Sequence, residues 1–88
     1  MRKIGYEFLG SYFKREAEKE FGGYYSDETS DWLEHMRRAE NNGTEDENGL
    51  IECHLEVTKT GHPPLLIDFT IKHIFDENDN VVRTEYYV

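Results

Sequence analysis

The run Asp76-Glu77-Asn78-Asp79-Asn80 offers side-chain oxygens at alternate positions, the ligand type that holds a hard divalent cation. It matches the first half of an EF-hand loop. The match then breaks: the sixth position is Val81 where the loop needs glycine, and the twelfth is Tyr87 where it needs a bidentate glutamate. The flanks also alternate like strands. The run therefore reads as a hairpin turn, and no calcium site is expected in it.

A second constellation is Glu52, His54 and Glu56, two carboxylates flanking an imidazole on one strand face. Successive side chains on such a face stand ~7 Å apart, twice the strand rise. That is too far for all three to grip one ion without bending the strand. A solvated sheet face, paired with Lys72 or Arg83, is the expected role. Cys53, the only cysteine, falls in the inward set and reads as a small buried hydrophobe rather than a nucleophile. His73 falls inward near a strand end and reads as a core or rim histidine, since no catalytic partner can be assigned to it. His35 and His62 read as exposed. No serine sits in a nucleophile elbow and no glycine-rich phosphate loop occurs. The sequence names no catalytic residue, metal ligand or cofactor, and the chain is read as non-enzymatic.

The elements that carry these residues follow from hydrophobic period. Residues 7–21 repeat Phe8, Leu9, Tyr12, Phe13, Ala17 and Phe21 at helical spacing, and Gly22-Gly23 supplies a stop. A second helix is predicted over about 27–40, with Ser26 as N-cap and an apolar stripe of Trp32, Leu33, Met36 and Ala39. Asp31, Glu34 and His35 would face solvent. From Ile51 the period changes to two. Ile51, Cys53, Leu55 and Val57 point one way; Leu65, Ile67, Phe69, Ile71, His73 and Phe75 do the same in the next strand; Val82, Thr84, Tyr86 and Val88 follow in a third. Asn42-Gly43-Thr44 fits a glycosylation triplet but reads as part of a loop. The expected fold is α+β, a single domain over residues 1–88: two N-terminal helices packed on one face of a three-stranded antiparallel meander. Residues 2–6 could add a short strand.

Composition narrows the function classes. In 88 residues there are 19 acids and 10 bases, for a net charge of −9. Such a balance argues against direct contact with nucleic acid or with an anionic membrane. No stretch approaches a membrane span and no secretory leader is read, so a cytoplasmic setting is expected. The charge is uneven: residues 27–56 hold ten acids against Arg37 and Arg38 alone. Asp27, Glu28, Asp31, Glu34, Glu40, Glu45, Asp46 and Glu47, with the neighbouring Tyr24 and Tyr25, form the candidate partner-binding set. Carboxylates spaced like phosphates would mimic a polyanion. The expected function is an acidic binding or inhibitor protein that occupies a basic, nucleic-acid-binding surface of another protein, as phage and mobile-element DNA mimics do. The alternative is an immunity- or antitoxin-type protein, or a homodimer formed through an open Val81–Val88 edge. A small enzyme would be marked by a pocket at His73 or His54.

Overall fold

A computed structural model describes residues 1–22 and 32–88. Its elements are β1 (Lys3–Ile4), α1 (Tyr6–Phe21), α2 (Trp32–Asn42), β2 (Leu50–Val57), β3 (Leu65–Phe75) and β4 (Val81–Tyr87). The α+β class follows, but the sheet has four strands rather than three, in the order β1-β4-β3-β2 and antiparallel throughout. The addition is β1, where Lys3 pairs with Tyr87 and Ile4 with Tyr86. Arg2 N–H donates to Val88 O at 2.8 Å and Val88 N–H to Arg2 O at 2.9 Å, which ties the two ends of the chain together.

Gly22 ends α1 in the left-handed conformation, at φ 78°, and its N–H donates to Glu18 O. The buried stripe of α1 is Leu9, Phe13, Ala17 and Phe21, a strict four-residue repeat. Phe8 stands one residue off that line, rotated by about 100°, and is 60% exposed. Its expected place in the apolar face is thereby corrected. Along α2, Met36 and Ala39 are buried and Trp32 is half-buried, 6.2 Å from the Phe13 ring centroid. Glu34 and His35 are half-buried rather than solvated. The helix also runs two residues past its expected end. The N-cap at Ser26 and the start of this helix lie outside the described residues.

Both helices cover one face of the sheet, α2 over β2 and α1 over β3. Between them lie Ile51, Cys53, Leu55, Val57, Ile67, Phe69 and Ile71, every second residue of the two strands. In β4 the alternation holds for Tyr86 and Val88, which pack on this core, and fails at Val82, which is 61% exposed. The ladder shifts register between Ile74 and Phe75. Phe75 and Val81 are also exposed, so this end of the β3–β4 hairpin reaches beyond the helical layer.

Candidate functional site

Two turns share one local design. Asp46-Glu47-Asn48-Gly49-Leu50 and Asp76-Glu77-Asn78-Asp79-Asn80 both begin Asp-Glu-Asn, a repetition the period analysis passed over. In the first, Asp46 Oδ1 accepts from Asn48 N–H at 2.8 Å and from Leu50 N–H at 2.9 Å. In the second, Asp76 Oδ1 accepts from Asn78 N–H at 2.8 Å and from Asn80 N–H at 3.0 Å. Each closes with a left-handed residue in fourth place, Gly49 at φ 78° and Asp79 at φ 62°. The two backbone donors hold the Asp76 carboxyl below its ordinary range, Asn80 first and Asn78 second. Asp46 and Asp76 are therefore spent on their own turns.

The first turn folds against the edge of the sheet. Asp46 N–H donates to Leu50 O at 2.9 Å, and Glu45 bridges to Ile51. His73 N–H donates to Gly49 O at 2.8 Å. Above this backbone bond, His73 Nδ1 donates to Glu45 Oε1 at 3.0 Å. His73 thus sits at the rim, as its position in the strand implied, and its partner comes from 28 residues away.

Of the ten sequence-predicted residues, the structure describes five, and these five differ in what they touch. Tyr24, Tyr25, Asp27, Glu28 and Asp31 lie outside the described residues. Glu34 is engaged by Arg37 and, at 3.9 Å, by Arg38. Glu40 is half-buried on α2, close enough to raise the pKa of both Cys53 and Tyr86, second to burial in each case. Glu45 binds His73 and Asp46 holds its turn. Glu47 is exposed like these two, and makes neither an ion pair nor a turn bond among the described residues.

Two further acids belong to the solvated strand face that the alternation predicts. Glu52 and Glu56 are exposed on β2, on the sheet face away from the helices. Lys72 and Arg83 do not pair with them, because the register sets Glu52 opposite Thr70 and Glu56 opposite Leu66. Lys72 faces Leu50 and Glu85, and Arg83 reaches Glu85 at 3.5 Å. Between the two glutamates, His54 Nδ1 donates to Asp68 Oδ1 at 2.6 Å. No group of three or more His, Cys, Asp or Glu residues converges on a metal position among the described residues.

β2 is an outer strand of the sheet. On the other side of the sheet, the β4 edge of the alternative homodimer reading is covered by β1 over Tyr86 and Tyr87, and residues 81–85 have no strand beyond them among the described residues. A cleft of about 320 Å³ runs between β2 and α2, with His35, Ala39 and Asn42 on the helix side and His54 and Glu56 on the strand side. No described helix is long and apolar enough to cross a membrane. No protein family, curated protein or solved structure matches the chain.

Proposed function

We propose that the protein is a non-enzymatic acidic binding protein that occupies a basic, nucleic-acid-binding surface of a partner protein. The contact surface is narrower than the acidic stretch 27–56. It centres on β2 and the turn before it. One observation carries the reading: Glu52 and Glu56 stand exposed on the outer strand β2 and Glu47 on the turn before it, and none of the three makes an ion pair among the described residues. Acids that are already paired, such as Glu34, have less charge to offer a partner. Unpaired carboxylates on a rigid strand are held in place without further ordering, and they attract Lys and Arg over a Debye length of ~8 Å at physiological salt.

The test is affinity capture from the native host on immobilised protein, with mass spectrometry, using two charge-matched variants. Glu52→Lys/Glu56→Lys and Glu20→Lys/Glu77→Lys each replace two exposed glutamates. The first pair alone should release a basic partner that the wild type retains and that elutes with salt. That partner should lose its grip on nucleic acid when the wild-type protein is added. Equal losses from both pairs would reduce the effect to net charge, and retention by both would remove the β2 edge from the function.

A further inference from the structure

The edge of β2 carries more than charge. In an antiparallel ladder, residues that exchange hydrogen bonds with one neighbour alternate with residues whose N–H and C=O point away from it. The bond from His73 N–H to Gly49 O sets the phase. Ile51, Cys53, Leu55 and Val57 face β3, and Leu50, Glu52, His54 and Glu56 face outward. The acidic turn occupies the first of these outward positions through Asp46 and the Glu45–Ile51 bridge. His54 and Glu56 lie beyond that bridge and have no strand alongside them among the described residues.

We infer that this edge takes an extended segment of the partner as a fifth strand, with Lys or Arg at alternate positions on the outer face and small uncharged residues between them. The inference rests on the function proposed above and names how that surface is read. Outward main-chain groups and outer-face side chains belong to the same residues here. A partner residue bonded to His54 or Glu56 therefore shares their face and lies beside carboxylates. The intervening partner residues turn toward the cleft, where Arg38, Ala39 and Asn42 line the helix side and small uncharged side chains fit without opposing Arg38.

The same geometry disfavours a second copy of this chain. An antiparallel pairing centred on His54 would set Glu52 opposite Glu56 across the two-fold, and like charges directly opposed destabilise a sheet. Each copy would also bring a net charge of −9.

The probe is a short fluorescein-labelled peptide alternating lysine and threonine, followed by anisotropy at low salt. Three comparisons separate strand addition from plain attraction. A block peptide of the same composition should bind about tenfold weaker or worse. Methylating the lysine backbone nitrogens, which would face β2, should abolish binding, and methylating the threonine nitrogens should not. His54→Pro removes an edge N–H that β3 does not use, and should weaken binding about tenfold or more, whereas His54→Ala should not. The methylated peptides need no variant protein, so a failure of His54→Pro to fold leaves the test intact.

Unchanged binding by the lysine-methylated and block peptides, with loss in Glu52→Gln/Glu56→Gln, would overturn strand addition and leave the acidic surface standing. Unchanged binding to Glu52→Gln/Glu56→Gln would overturn both. No binding of the alternating peptide, or a dimer of the protein alone that His54→Pro disperses, would also overturn the inference.

Discussion

Gly22 and Gly49 share the same left-handed φ, 78°, and differ in what surrounds them. A Cβ at Gly22 would meet nothing within 4 Å among the described residues. A Cβ at Gly49 would lie 2.6 Å from Phe75 Cε2 and 2.7 Å from the His73 carbonyl oxygen. Substituting alanine at either site forces an L-residue into the left-handed region, at about 1 kcal/mol. That cost cancels in the comparison. What is left is the collision at Gly49. The Phe75 ring is 41% exposed and can swing aside. The His73 carbonyl belongs to the β3 backbone and cannot move far without disturbing the 2.8 Å bond from His73 N–H to Gly49 O. Overpacking of this kind costs about 1–3 kcal/mol. Gly22→Ala should therefore lose about 1 kcal/mol and Gly49→Ala about 2–4 kcal/mol. At about 4–8 °C per kcal/mol for a domain of this size, thermal melts followed by circular dichroism resolve the two easily. Hydrogen exchange adds a local readout, since Gly49→Ala should speed exchange at the His73 and Asp46 amides. Equal melting temperatures for the two variants would refute the reasoning, because the acidic turn would then not be seated against β3.

Asp79 holds the position of Gly49 in the second turn at φ 62°, so Asp79→Gly should raise stability by about 0.5–1 kcal/mol in urea unfolding; a loss would mean the left-handed angle is not maintained. Burial first, and Glu40 second, push the Cys53 thiol up to about 11 from an ordinary 9.0. A group whose folded pKa is raised stabilises fully below its unfolded value, so this contribution should fade between about pH 9 and 11. Cys53→Ala should flatten that alkaline limb in part, leaving the share of Tyr86, which burial also raises. The native thiol should resist a disulfide reagent at pH 8 and react once urea unfolds the chain.

Period-two alternation settled which residues are buried along β2 and over residues 67–71 of β3, since side chains on a strand have only two faces; it failed at Phe75, which lies beyond the helical layer. Turn chemistry was legible too, because Asp, Asn and Gly act on backbone two to four residues away. A helix leaves more freedom. Phe8 and Leu9 both suit an apolar stripe, and only the docking of α1 on the sheet chose Leu9. β1 has two residues and no period of its own; its pairing with Tyr86 and Tyr87 joins positions more than 80 apart and covers that end of the β4 edge. The acids divide in the same way. Their number and crowding into one third of the chain are properties of composition. Whether each is spent depends on what folding brings alongside it. Asp46 serves its own turn, Glu45 meets His73 from 28 residues on, and Glu52 and Glu56 stay unpaired because the register sets Thr70 and Leu66 across from them. Electrostatics acts through space, so a linear tally of charge could locate the acidic segment and not the carboxylates within it that a partner can reach.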